Sequence, residues 1–259
     1  MKLLFENWRR YLKEEKEEHF ITPAQNRALK KLYVHVSRFV IAVQRALEEN
    51  PGELAVLRLI RSGYIDLQKY GFRRKGNQYF LLDLNLLDEI PVENLKLTIS
   101  AVGAPGASVV VDDEGVARMR LSGLLAADMF ALKSFIQHEL HHLFTQEHLD
   151  AAGHAGARDT EIKKINYIFD EGELRAHTKQ YAYLYHKLFP EEEKFNSDKF
   201  IDEISNRKIG IGRGPIFLYR KELLMPHAKE LGGRESIEKM NNKATKYTQY
   251  FLSLFKGDI

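Results

Sequence analysis

The apolar residues near the start of the chain recur at helical spacing. They predict a helix over residues 3–12 and a long amphipathic helix over residues 24–49. Thr22-Pro23 suits an N-cap followed by proline at the first helical position, and Asn50-Pro51-Gly52 ends the pattern. A shorter helix is predicted over residues 53–61. The apolar positions of the long helix are Leu29, Leu32, Val36, Phe39, Val40, Val43 and Leu47.

The middle of the chain changes from helical spacing to strand-like alternation. Residues 95–102, 107–111 and 116–121 are rich in β-branched and alternating apolar residues, and the turn-like sequence at 112–115 joins the last two. Residues 78–87 are apolar and fit either a strand or an irregular edge. We therefore expect a small antiparallel sheet of about three strands, a hairpin plus one neighbour.

Helical spacing returns after the predicted sheet. A helix is predicted from Ser122 or Ala126 to Phe144, a Gly-rich loop over 149–160, and a second helix over 170–188. The remainder is mostly helical and is interrupted by a Gly-rich turn at 210–215. The sequence thus predicts an α+β fold with helical segments at both ends. Three regions are expected: a mostly helical region 1–94, a core 95–190 and a mostly helical region 191–259.

Composition narrows the chemistry that this chain can perform. Its 259 residues carry a net charge of +3 and no cysteine, so disulfides, thiolate metal sites and cysteine nucleophiles are excluded. Any metal must be held mainly by His, Asp or Glu. The most apolar long stretch, 121–136, is interrupted by Asp128 and Lys133, and the first twenty residues lack a signal-peptide core. We therefore expect no membrane association and a cytoplasmic location.

One five-residue pattern carries specific chemistry. Residues 138–142 read H-E-L-H-H, so His138, Glu139 and His142 fit H-E-x-x-H within a predicted helix. Residues four apart lie on one helical face, so both imidazoles can reach one ion. The glutamate beside them can accept a proton from water. Zinc is the metal that best fits such ligands. The alternative interpretation is a solvated helical face rich in His and Glu.

A third protein ligand has more than one candidate. His148 lies six residues after His142, which is the spacing of metzincins. This chain has Thr145 where the metzincin pattern has glycine, and a β-branched residue is poor at positive φ. The other candidates are Glu173 and, at the predicted helix start, Glu171.

The segment D-E-G-E-L-R-A-H, from Asp170 to His177, resembles the second signature of gluzincins. That signature has a glutamate ligand, a small residue three positions later and a polar residue four positions later. Glu173, Ala176 and His177 hold these places here. Over roughly residues 95–188 the chain therefore resembles compact gluzincin-type metallopeptidases of phages and bacteria. The opening residues also resemble phage-encoded proteins, for which the cytoplasm would be that of the host.

The resemblance implies a zinc-dependent peptidase. His138, His142 and Glu173 would hold Zn²⁺, Glu139 would act as general base, and a nearby donor would stabilise the oxyanion. His177 is the first candidate for that donor, with Tyr181 and Tyr183 as alternatives. The partner would be a peptide or protein substrate, which the last strand of the sheet could bind by strand addition.

Two other classes of function stay open. A zincin-like fold could serve as a zinc-stabilised binding protein without turnover, although such a protein would not need Glu139. A nucleic-acid-binding accessory protein is the other class, and it is favoured only by the cluster Arg73-Arg74-Lys75 with aromatic neighbours. A charged hairpin tip is the simpler interpretation of that cluster, and the small net charge does not argue for nucleic acid.

Overall fold

The α+β class is confirmed by a computed structural model that describes residues 21–53, 55–144, 161–211 and 214–256. The predicted helix over 3–12 and the loop over 149–160 lie outside the described residues. The described helices are α1 (Pro23–Glu49), α2 (Val56–Arg61), α3 (Met129–His141), α4 (Glu161–Ile168), α5 (Glu171–Leu188), α6 (Ser197–Asn206), α7 (Gly214–Tyr219) and α8 (Arg234–Lys256). The strands are β1 (Phe72–Lys75), β2 (Gln78–Leu81), β3 (Asn94–Ile99), β4 (Gly106–Val111) and β5 (Val116–Ser122).

The ends of α1 follow its local sequence. The Thr22 side chain accepts a hydrogen bond from the Gln25 backbone N–H, and the Gln25 side chain accepts one from the Thr22 backbone N–H. This capping box satisfies two donors that the first turn leaves open. Pro23 has no donor to lose at this position. The prediction of a helix over 24–49 is therefore confirmed to within one residue.

The sheet is larger and more mixed than expected. Its strand order is β1-β2-β3-β5-β4, with β3 and β5 parallel and the other pairs antiparallel. Our expectation of about three strands, all antiparallel, is therefore wrong in number and in one pairing. The hairpin of β4 and β5 is present as predicted, but β5 inserts beside β3. The more buried strand thus takes the inner position, and the partly exposed β4 becomes an edge.

At the end of β5, Gly123 packs closely against the backbone of the loop between β3 and β4. Gly123 has φ +67°, and a Cβ there would overlap the backbone of Ala104 and Pro105. These residues belong to the loop that carries the chain from β3 past β5 to β4. Only glycine fits this position without strain, because it has neither a Cβ nor a penalty at positive φ.

Helix α3 lies between the two parts of the core. On one side it packs with α1 and β4, and on the other it packs with α5. It begins at Asp128, whose carboxylate accepts from the backbone N–H groups of Phe130 and Ala131. It therefore starts later than predicted, and a 3-10 turn, His142–Phe144, completes its end. Helix α5 begins after the N-cap Asp170, as predicted.

No helix in the described part of the chain is both long enough and apolar enough to span a bilayer.

Candidate metal centre

The last turns of α3 bring two imidazoles together. His138 and His142 lie four residues apart, and their Nε2 atoms are 3.1 Å from each other. Both side chains are close to nine-tenths buried, with exposed fractions of 10% and 11%. Burial lowers the pKa of His138 to about 4, against hydrogen bonding to Gln180 and to the Ala176 backbone, which raises it. A neutral imidazole is the form that binds a metal.

Glu173, in the first turn of α5, faces this histidine pair. Its Oε2 lies 3.4 Å from His138 Nε2, and its Oε1 lies 3.7 Å from His142 Nε2. The residue is 5% exposed, and Oε2 has no hydrogen-bond partner among the described residues. A buried carboxylate oxygen without a hydrogen bond is costly unless a cation satisfies it.

The spacing of these three donors fits a tetrahedral metal site. Ligand atoms at about 2.0–2.1 Å from a zinc ion would be about 3.3 Å apart at tetrahedral angles. Here the two nitrogens are 3.1 Å apart, Glu173 Oε2 lies 3.4 Å from the nitrogen of His138, and Glu173 Oε1 lies 3.7 Å from that of His142. Two imidazole nitrogens and one carboxylate also form a donor set that zinc accepts. The residues present therefore fit a divalent cation, which would leave one coordination position open.

Glu139 lies beside the ligand cluster. Burial raises its pKa to about 8, and the negative charge of Glu173 adds to this effect. Hydrogen bonding to the Val109 backbone acts in the opposite direction. Since Val109 belongs to β4, the carboxyl group lies between the candidate metal ligands and the edge of the sheet. A pKa near neutrality suits a general base.

His177 joins the cluster from the next turn of α5. Its Nε2 lies 3.8 Å from Glu173 Oε2, and its ring centroid lies 4.4 Å from that of His138. Potential ligand atoms of His138, Glu173 and His177 all lie within 4.8 Å of one another. His177 is thus part of the site and not a surface residue, and its ring nitrogen can reach whatever binds beside Glu173.

The two tyrosines proposed as alternative donors have different positions. The Tyr181 hydroxyl lies 3.3 Å from His177 Nδ1, and the residue is fully buried. It contacts the back of the His177 ring and can fix its orientation. Tyr183 points elsewhere, because its hydroxyl lies 2.8 Å from that of Tyr33 on α1. Only Tyr181 therefore belongs to the site, through His177.

Gly214, in the Gly-rich segment of residues 210–215, lies next to Tyr181 and His177. Residues 212 and 213 of this segment lie outside the described residues. A Cβ on Gly214 would overlap the Tyr181 hydroxyl and lie 3.9 Å from His177 Cε1. Glycine at this position lets α7 begin directly against the tyrosine.

Sequence reasoning missed Tyr167 and Gln180. The Tyr167 hydroxyl, on α4, donates to Glu173 Oε1. Gln180 Nε2 donates to Ser134 Oγ at 3.0 Å and so links α5 to α3 inside the core. Tyr167 lies six residues before Glu173 in a helix that was not predicted, so no local signal marked it. Gln180 follows His177, Thr178 and Lys179, so no local pattern distinguished it from its polar neighbours.

The two other candidate ligands are Glu171 and His148, and His141 lies within the motif without being a candidate. Glu171 accepts hydrogen bonds from Arg175 Nε, Lys243 Nζ and Tyr247 Oη, each at 2.8 Å, so it is held toward α8. His148, with Thr145 before it, lies outside the described residues. His141 is buried against Phe251 on α8, with ring centroids 5.4 Å apart. Among the described candidates, Glu173 is the carboxylate that meets both histidines.

The cluster Arg73-Arg74-Lys75 lies on β1, which pairs with β2 in a hairpin and is exposed at all three positions. This matches the interpretation as part of a charged hairpin.

No family model, curated protein or solved structure matches this chain.

Proposed function

We propose that this protein is a zinc-dependent metallopeptidase. The observation that carries the proposal is the convergence of His138, His142 and Glu173 from two helices, at separations of 3.1–3.7 Å. Glu139, the residue after the first histidine, lies next to them. Histidine and glutamate residues on a solvated helical face would not be buried around an unsatisfied carboxylate oxygen.

His138, His142 and Glu173 would hold the metal, and Tyr167 would orient the Glu173 carboxylate by its hydrogen bond. When bound, zinc would supply Lewis acidity, which polarises a peptide carbonyl and lowers the pKa of water. Glu139 would accept the proton of the attacking water at a carboxylate oxygen and pass it to the leaving amine. A cation beside Glu139 favours its ionised form, which offsets the raised pKa.

His177 would donate a hydrogen bond from Nε2 to the oxyanion that develops on the carbonyl oxygen. Tyr181 supports this role, because its hydroxyl contacts Nδ1 and can hold the ring in one orientation. An extended peptide could pair with β4, which has one neighbour in the sheet and lies next to Glu139 through Val109. The substrate would then lie between the edge strand and the base.

The first experiment is elemental analysis of purified protein, made on the parent and on the variants Glu173→Ala and His148→Ala. We expect about one zinc per chain in the parent. That zinc should be lost in Glu173→Ala and kept in His148→Ala. The reverse result would make His148 the third ligand. A parent that stays metal-free after purification without chelators would contradict the proposal.

The second experiment separates binding from turnover. Glu139→Gln should keep the zinc and lower hydrolysis of a peptide library by about 10²–10⁴-fold, because it removes the general base. Glu114→Gln, at the exposed turn between β4 and β5, removes the same charge and should leave hydrolysis unchanged. If Glu139→Gln binds zinc and cleaves peptides like the parent, the mechanism is wrong. Zinc binding without cleavage in the parent would instead favour a binding protein.

A further inference from the structure

The outer face of α1 is positively charged over residues 24–47, and the acidic residues of this helix, Glu48 and Glu49, lie at its C-terminal end. Between residues 24 and 47, four of its five exposed side chains are basic, and the fifth is Val34. The sequence contains no Asp or Glu from His19 to Leu47. The four exposed cations lie on one face, because their spacing returns to within about 40° of the same direction on a helix. They are Arg27, Lys31, Arg38 and Arg45.

Helix α8 shows what an ordinary solvated face looks like in this protein. There Arg234 pairs with Glu238 at 3.2 Å, and Lys239 pairs with Glu235 at 2.8 Å. Such i,i+4 pairs are the usual arrangement of exposed charges on a helix. Within the described part of the chain, none of the four exposed cations of α1 forms an ion pair or a hydrogen bond through its side chain. The face of α1 therefore presents a positive charge available to an external anion.

The same face borders two concave regions that meet at Arg38. The first has a volume of about 440 Å³, and the second about 390 Å³. Besides Arg38, the first region is lined by the cations Arg45 and Lys69 and by the rings of Tyr64 and Tyr70. The second is lined by Lys30, Lys31, Val34, His35 and Leu86. Together they form a groove along α1 that is basic and partly aromatic.

The first region also contains two carboxylates, and each accepts a hydrogen bond from a neutral donor. Glu49 accepts a hydrogen bond from the Tyr64 hydroxyl at 3.0 Å. Asp66 accepts from the backbone N–H of Gln68 at 3.0 Å. Tyr64 is 53% exposed, so its ring can still be reached from solvent. The groove thus offers free guanidinium groups beside an accessible aromatic face.

We propose that this groove binds single-stranded nucleic acid. Guanidinium groups match phosphate geometry, and an exposed tyrosine ring offers a stacking surface for an unpaired base. Lys31 and Arg45, which both line the groove, are about 21 Å apart along the helix axis, which is long enough for several nucleotides. A duplex would leave the ring unused, since its bases are stacked on each other, and an acidic peptide has no base to stack. The proposal does not rest on the peptidase activity.

Fluorescence anisotropy of a labelled oligothymidylate, measured at several salt concentrations, tests the proposal. The variant Arg38→Gln/Arg45→Gln should weaken binding roughly tenfold and lower the salt slope by about 1.4, since two phosphate contacts are lost. The matched control Arg234→Gln/Lys239→Gln removes the same net charge from α8 and should bind like the parent. Equal losses in the two variants would reduce the effect to net charge and overturn the proposal.

Further measurements separate the possible anions. Tyr64→Ala should weaken binding of the oligonucleotide about tenfold, because a stacking surface is lost. A duplex of the same length should bind more weakly than the single strand. Equal affinity for the duplex, equally strong competition by poly-glutamate, or no binding of the oligonucleotide at low salt would each contradict the assignment.

Discussion

The layer between the sheet and α1 differs in kind from the interface between α3 and α5. In the first, rings and aliphatic side chains pack without buried polar groups on the strands, as around Phe39 and Phe72, which stack at 4.7 Å. In the second, carboxylates, imidazoles and an amine are buried together. Of the thirteen buried polar side chains among the described residues, nine lie on α3 and α5.

This difference separates a layer that stabilises the fold from an interface that buries charged groups. Burying a charge costs free energy unless a partner compensates it, so a fold selected for stability alone would not collect such groups at one interface. Glu139, Glu173 and Lys179 all lie there. The apolar layer therefore supports the fold, while the polar interface buries charged groups at a cost in stability, as the proposed metal site would require.

The largest effect on stability is expected from the apolar layer. Phe39→Ala should lower the free energy of unfolding by about 3–5 kcal/mol, since it removes a fully buried ring. Val34→Ala, on the exposed face of the same helix, should change it by less than about 0.5 kcal/mol. Chemical denaturation measures both. A small loss for Phe39→Ala would mean that this layer is not the stabilising one.

A substitution at the edge of the polar interface tests its packing. Gly214→Ala should lower stability by about 1–3 kcal/mol, because the new methyl group overlaps the buried Tyr181 hydroxyl. It should also lower peptide hydrolysis, since Tyr181 would shift against His177. Gly210→Ala, in the same segment but with open space around its Cβ, should do neither. Similar results for the two variants would place Gly214 outside the site.

The smallest expected effect on stability is an increase, and it comes from replacing the buried Lys179. Burial, with the charge of Lys30 as a lesser cause, lowers the pKa of Lys179 from 10.5 to about 7. Below pH 7 the amine is charged in both states and its burial destabilises the fold. Between pH 7 and 10 the folded protein binds fewer protons than the unfolded chain, so the stability of the parent rises with pH.

Lys179→Met should therefore raise stability, on the order of 1–2 kcal/mol, because methionine fills the space without a charge. The gain should be largest below pH 7 and shrink toward pH 10. Denaturation at several pH values measures it, with Lys239→Met on the exposed face of α8 as the control. A gain that does not change with pH would mean that the pKa of Lys179 is the same in the folded and unfolded states, so that burial does not lower it.

The sequence predicted the starts of two helices, because a helix cap involves only residues that are neighbours in the chain. Thr22 and Pro23 determine the start of α1, and Asp170 determines the start of α5. The position of β5 beside β3 was not predictable in the same way. It depends on which strand the sheet buries, and a hairpin pattern is the same whichever of its strands lies inside.

The residues of the candidate site also differ in whether a local sequence pattern predicts them. His138, Glu139 and His142 follow from one helical spacing, whereas Glu173 was reached through a resemblance of its own segment to a known signature. Tyr167 comes from a third helix, and its hydrogen bond to Glu173 follows only from how α4 and α5 meet. Contacts between elements that are distant in sequence depend on the whole fold and leave no local pattern.

The two-helix origin of the donors has a consequence for a chain that has no cysteine. A metal held by His142 and Glu173 would join two points of the chain as a disulfide does, closing a loop of about 30 residues. By the chain-entropy argument such a closure restricts the unfolded ensemble by roughly 4 kcal/mol, provided that the metal stays bound there. The same ion would then be the reactive centre of the proposed peptidase and also a cross-link between α3 and α5.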